Sequence, residues 1–252
     1  AGVGVGGMYV WLSQGLSSLA RMGGQVNMAH SLGRGDQKTA AGFAQAALQL
    51  TILFSLFVTL ISMLFTNPLL HFFALNDAET YNSARIYMRI TCGLILFSFL
   101  SQVLTGLFTA QGDSKTPLKA NFFGLILNMI LDPLLVLGVG PFPRLEVVGA
   151  AVATVTAQII VLLILVTEIL RDHGEANVLR KIRLLSRPDI ICVKGVFRIG
   201  VPTALQGSLY CIISMILTRM VSGFGDGAIA VQRVGGQIES LSWNTADGFG
   251  SA

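Results

Sequence analysis

Residues 39–76 read TAAGFAQAALQLTILFSLFVTLISMLFTNPLLHFFALN, a run without a single Asp, Glu, Lys or Arg. A bilayer core needs about 20 mostly apolar residues per helix, so this stretch decides the class of the chain. Charge-free stretches recur at 90–112, 147–167 and 199–218. Across all 252 residues, 53% are hydrophobic and only 12% are charged, where a soluble domain carries about a quarter. That distribution argues against a soluble globule. It excludes a nucleic-acid-binding domain despite the net charge of +4, and a secreted disulfide scaffold. Cys92, Cys192 and Cys211 stand apart without a CxxC pair, so they read as packing residues. Barrel strands are not expected, because several of the runs exceed the 9–11 residues of such a strand and lack its alternation.

The fold class expected is therefore all-α and polytopic, with about seven transmembrane helices. They fall near 6–32, 41–65, 85–110, 118–138, 148–170, 199–222 and from 228 onward. The opening AGVGVGGMYVW has no basic region or cleavage site, and the final DGFGSA stops within an apolar segment. Both ends read as cut, as in a fragment of a longer protein.

Orientation follows from the basic residues. Arg34 and Lys38, then Lys115 and Lys119, then seven Lys and Arg in 171–198 occupy alternate connections, eleven of the 17 in the chain. The opposite connections hold only Arg144. The positive-inside rule places the first set in the cytoplasm. Segment 171–198 is long and basic. Its Leu179, Ile182, Leu184 and Leu185 suit a short interfacial helix, and a solvated linker fits as well. His30, His71 and His173 read as solvated.

An Asp at mid-helix costs roughly 2.5–3.5 kcal/mol on insertion scales, which makes Asp132, in ANFFGLILNMILDPLLVLG (120–138), the leading functional candidate. Asn128 lies one turn earlier on the same helical side. The pair can bind Na⁺, or the carboxylate can carry a proton. Pro133 follows and removes a backbone donor. A position at headgroup level near the outer helix end is the competing reading of Asp132. Thr154 and Thr156 can add hydroxyls from the next helix, although its glycine and alanines also suit helix packing. Gln25, Asn27, Gln206, Tyr210 and Glu239 are candidates for a wet substrate cavity, and Asp247 follows Glu239 near the same face. Arg21 either binds a carboxylate or snorkels. No HExxH, GxSxG, paired-histidine helix or GxxxxGK loop is present, so neither an enzyme nor a bound cofactor is expected.

Five blocks in order carry a family resemblance: SLARMGGQVNMAHSLGRGDQKTA (18–40), LTGLFTAQGDSKTPLKANFFGLILNMILDPLLVLG (104–138), GAAVATVTAQ (149–158), IGVPTALQGSL (199–209) and QIESLSWNTADGFGSA (237–252). Together they resemble the multidrug and toxic compound extrusion (MATE) transporters over nearly the whole chain. The resemblance implies two six-helix bundles, of which this chain holds helices two to eight. Residues 1–170 would be the N-terminal lobe, 171–198 a cytoplasmic linker and 199–252 the start of the C-terminal lobe.

It further implies an exporter of bulky, often cationic compounds, coupled to H⁺ or Na⁺ and working by alternating access. Asn128, Asp132 and Thr154 match the family's N-lobe cation site, whose partner Asp lies on a helix outside this sequence. Tyr210 stands where some branches carry a C-lobe Glu, which favours coupling through Asp132. The implied setting is the inner (plasma) membrane, with small organic substrates, lipid and no nucleic acid as partners, and a monomer when full length. The alternative is a sister flippase for lipid-linked oligosaccharides or peptidoglycan precursor. It ranks second because few basic residues, chiefly Arg21, Arg219 and Arg233, are intramembrane.

Overall fold

The chain enters two of its helices through one five-residue pattern, GDQKT at 35–39 and GDSKT at 112–116. The structure is a computed structural model describing residues 2–71, 78–138, 145–171, 178–182, 184, 186–187, 189–224 and 226–250. Gly35 and Gly112 both hold left-handed backbone, at φ 77° and 85°, where a side chain is disfavoured. The turn sets the following carboxylate over the helix start. Asp36 Oδ1 accepts from the Thr39 amide at 3.0 Å, and Asp113 Oδ1 from the Thr116 amide at 3.1 Å. Each satisfies a donor that a helix start leaves unpaired. Asp189 likewise accepts from the Ile191 amide at 2.9 Å.

The described residues form α1 (Gly2–Gly33), α2 (Gln37–Leu64), α3 (Thr66–His71), α4 (Ala78–Gly93), α5 (Ile95–Ala110), α6 (Lys115–Leu137), α7 (Glu146–Arg171), α8 (Ile190–Ser222) and α9 (Asp226–Gly250). One 3₁₀ turn, Val178–Lys181, lies between α7 and α8. The all-α class holds, but the expected number of spans does not. Among the described residues only α2, α6, α7 and α8 are long and apolar enough to cross a bilayer, four helices in all. The count is five if α4 and α5, bent by 51°, are one broken span. Seven was an overcount because a stretch poor in charge is not thereby apolar. Helix α1 is diluted by Gly, Ser, Gln, Asn and one Arg, and α9 by Gln, Glu, Ser, Asn and Asp. The stretch expected as one helix over 85–110 breaks at Leu94, where the Thr59 hydroxyl donates to the Cys92 carbonyl at 2.9 Å. With four such helices the chain is a multi-pass membrane protein.

Packing is inverted relative to a soluble core. Helix α6 buries only Pro117, Ala120 and Gly124 and turns Phe122, Phe123, Leu125, Met129 and Ile130 outward. The main core cluster leans on alanines 20, 40, 44, 46, 47 and 120. Lipid is as apolar as Leu, so helices associate through close backbone packing at small residues. Helix α1 is the hub, packed against α8, α2, α5 and α4. A Cβ at Gly23 would run into the Val196 carbonyl, and one at Gly200 into the Leu19 carbonyl. Asn27 Nδ2 closes the same seam, donating to the Gly195 carbonyl at 3.0 Å.

The connection after α7 lies along α2 as a strap. Gln49 donates to the Leu184 and Ser186 carbonyls at 2.7 and 2.8 Å, and Gln45 to the Ser186 hydroxyl at 2.9 Å. Val178 and Leu179 join the main core cluster. The interfacial-helix reading is thus corrected, among the described residues, to a single 3₁₀ turn held on protein. Helix α8 already begins at Ile190, ahead of the expected 199. Arg144, His173, Arg183 and Leu185 lie outside the described residues. The three cysteines are buried and free, in line with packing roles.

Two outcomes follow. Gly23→Ala should cost about 1–3 kcal/mol through overpacking, whereas Gly207→Ala, on α8 with nothing in its path, should be neutral or stabilise by up to about 1 kcal/mol. Thermal unfolding in detergent, followed by tryptophan fluorescence, compares them. The second concerns pH. Asp36 is held below the ordinary carboxylate range by the Thr39 hydroxyl and amide, and Asp113 by the Thr116 hydroxyl and amide. A carboxyl lowered on folding stabilises above its unfolded pKa of about 3.9 and loses that contribution as pH falls through the folded value. The unfolding midpoint should therefore stay level down to about pH 5 and drop below about pH 4. The double variant Asp36→Asn, Asp113→Asn should show a shallower acid limb.

Candidate functional site

Helix α6 runs unbroken through Pro133 to Leu137 and ends at Gly138, whose left-handed φ of 69° closes the turn. Asp132 therefore sits more than a turn inside the helix. Its position relative to α7 is set by two glycines. A Cβ at Gly149 would strike the Leu135 carbonyl, and one at Gly124 the Val161 side chain. The two helices accordingly pack along most of their length, and the Leu145 amide donates back to the Leu135 carbonyl at 3.0 Å.

This approach sets α7 along the carboxylate, and α4 packs on α7 in turn. The Tyr87 ring from α4 lies within electrostatic reach of Asp132 and beside the Thr154 hydroxyl. Thr154 Oγ1 itself donates to the Ala150 carbonyl at 2.9 Å, which leaves its lone pairs available. Asn128 Nδ2 and Asp132 Oδ1 are both buried without a hydrogen-bond partner. Such orphaned atoms are uncommon because each carries a desolvation cost. Among the described residues no three His, Cys, Asp or Glu side chains gather. The site thus offers one carboxylate with neutral oxygens from Asn128, Thr154 and Tyr87. That is a donor set for a monovalent hard cation or a proton.

Of the sequence candidates, Asn128, Asp132 and Thr154 fall in one region. Tyr87 joins them unannounced: it sits in RIYMRI (85–90), between two arginines that made the segment look like the margin of a span. Only the packing of α4 on α7 reveals it. Gln25 lies elsewhere, its Oε1 facing Gly106 on α5. Gln206 is exposed on α8. Tyr210 is 58% exposed and packs edge-on against Trp11 at 5.8 Å between ring centres. Glu239 is exposed on α9 and accepts from Trp243 Nε1 at 3.2 Å. The structure does not bring these four together with Asp132, and the Asp247 side chain lies outside the described residues.

Comparison with known proteins bears on the whole arrangement. A Thermotoga maritima protein named "Probable multidrug resistance protein NorM" is 29% identical over 100% of this chain and 53% of its own length. A Shewanella oneidensis protein named "FAD transporter" is 27% identical over 87% of this chain and 48% of its own length. A solved structure described as the inward-facing conformation of a multidrug resistance MATE family transporter superposes with a TM-score of 0.85 at 20% identity. It matches 95% of this chain and 53% of that one, a likeness of fold. The chain spans about half the length of the curated relatives it matches. The family model described as MatE matches residues 1–134, which include α6 as far as Asp132 and Pro133. With more than half of its residues under that model, the chain belongs to the MatE family.

Proposed function

We propose that the whole protein is a cation-coupled efflux antiporter that exports bulky organic compounds and is not an enzyme. The observation that carries this reading is the buried, unpartnered Asp132 Oδ1, one turn from the equally unpartnered Asn128 Nδ2, in a MatE chain. H⁺ or Na⁺ is the coupling ion, held by Asp132, Asn128 and Thr154, with Tyr87 as a fourth contact. Residues 1–170 act as the N-terminal lobe, 171–198 as the linker and 199–252 as the start of the second lobe. The distribution of Lys and Arg supports a cytoplasmic linker in the inner (plasma) membrane, and the protein works as a monomer. Gln25, Gln206, Tyr210 and Glu239 serve the substrate path away from the cation. The names of the relatives, multidrug resistance in one and FAD transport in another, support small-molecule cargo.

Coupling requires the cation to bind one state of the transporter better than the other, because equal affinity shifts nothing. An unpaired Asp132 suits that role. Filling Oδ1 removes the cost of this unpaired, inward-turned oxygen, and the gain depends on how closely α7 packs on α6.

Asp132→Asn in the protein expressed from its whole gene should abolish resistance to toxic compounds while membrane expression remains intact. Retained resistance would sink the assignment. Tyr87→Phe should keep export but lower the apparent cation affinity several-fold, as expected for one lost hydrogen bond worth about 0.5–1.5 kcal/mol. Proteoliposomes with imposed H⁺ or Na⁺ gradients measure this and identify the coupling ion.

A further inference from the structure

Helix α1 turns a polar stripe toward α5, made by Gln14, Ser17, Arg21 and Gln25 at intervals of three and four residues. One half of this seam is closed on itself. Gln102 Nε2 donates to Gln14 Oε1 at 2.6 Å, and Ser17 Oγ donates to Gln102 Oε1 at 3.5 Å. The other half is not. A Cβ at Gly106 would lie 2.8 Å from Arg21 Cγ and 3.0 Å from Gln25 Oε1, so the bare glycine leaves a slot on the face of α5 for the Arg21 stem. Beyond the slot, Arg21 Nε is buried with no hydrogen-bond partner.

Among the described residues no carboxylate forms an ion pair with Arg21, and α7, which packs on α5, carries its acids only near its ends, Glu146 in the first turn and Glu168 paired with Arg171 at 3.7 Å. Helices α1, α2 and α5 contain no Asp or Glu. Helix α8 has only its cap Asp189, and α4 only Glu79 in its first turn. Asp132 belongs to α6, whose main neighbour is α7. Arg21 lies about 18 Å from the end of its helix at 1.5 Å per residue, too deep for a surface role. An intramembrane guanidinium is costly unless it meets an anion, and its planar fork matches a carboxylate or phosphate.

We infer that Arg21, with the Gln25 amide beside it, is the subsite for an oxyanion carried on the substrate. The cargo then includes compounds bearing a carboxylate or phosphate, zwitterions among them, and not cations alone. This rests on the transport reading above, but concerns a different helix pair from the cation site.

The test uses two dyes with one ring system, the cationic ester rhodamine 6G and its free carboxylic acid. Both are offered to the purified protein expressed from its whole gene. Arg21→Gln should weaken binding of the acid about tenfold and of the ester by less than about twofold, by fluorescence anisotropy. Arg21→Lys, which keeps the charge and loses the fork, should fall between and serves as the folding control. Asp132→Asn should abolish gradient-driven export of either dye and leave the acid-to-ester binding ratio unchanged. Equal weakening of both dyes, or an unchanged acid, overturns the subsite. So does an Arg21 effect seen only in proteoliposomes containing phosphatidylglycerol, since a lipid headgroup would then be the anion. Wild-type protein that binds the acid but moves neither dye refutes the transport reading and leaves the subsite standing.

Discussion

Helices in lipid gain little by burying apolar side chains against each other, so everything here depends on how closely their backbones approach. Helix α1 makes the point. Gly23 meets the Val196 carbonyl and Gly200 meets the Leu19 carbonyl, contacts that no larger residue permits. Those two glycines set the spacing of α1 against α8, and α1 in turn packs against α2, α5 and α4. Large apolar side chains are left to face outward, as α6 shows with Phe122, Phe123 and Met129.

The same constraint builds the candidate site. Gly124 and Gly149 draw α7 onto α6, and α4, packed on α7, brings Tyr87 to Thr154 and within electrostatic reach of Asp132. Both Asp132 and Asn128 are only half-buried, yet one carboxylate oxygen of Asp132 and the Asn128 amide nitrogen are turned inward without partners. Polar groups held in that condition respond strongly to whatever fills them. The α1–α5 seam follows the opposite logic: Gln14, Ser17 and Gln102 satisfy one another, and the single charge of the stripe sits outside their network.

Much of this was legible in the residues. Charge-free runs predicted α2, α7 and most of α8, because excluding ionised groups from hydrocarbon is a strong and local requirement. Asp132 and Asn128 were recognisable for the same reason, as costly groups one turn apart. The count of spans failed where the physics is not local. Helix α1 is almost free of charge yet too polar to count as an apolar span, since its Ser, Gln and Asn side chains face other helices. The break at Leu94 was hidden too, because the Thr59 hydroxyl that meets the Cys92 carbonyl comes from another helix. The strap formed by Leu184 and Ser186 was unreadable as well, since its partners Gln45 and Gln49 precede it by more than a hundred residues.

The sequence by itself determined a helical membrane chain, the basic bias of alternate connections and one intramembrane acid worth attention, because each follows from the cost of placing charge in hydrocarbon. Only the tertiary structure decided which polar groups meet. It brought Tyr87 within electrostatic reach of Asp132, set Gln206, Tyr210 and Glu239 on α8 and α9, and, among the described residues, left Arg21 without an ion pair. Those outcomes depend on which backbones a glycine lets come close, and that is a property of pairs of helices, not of any one stretch of residues.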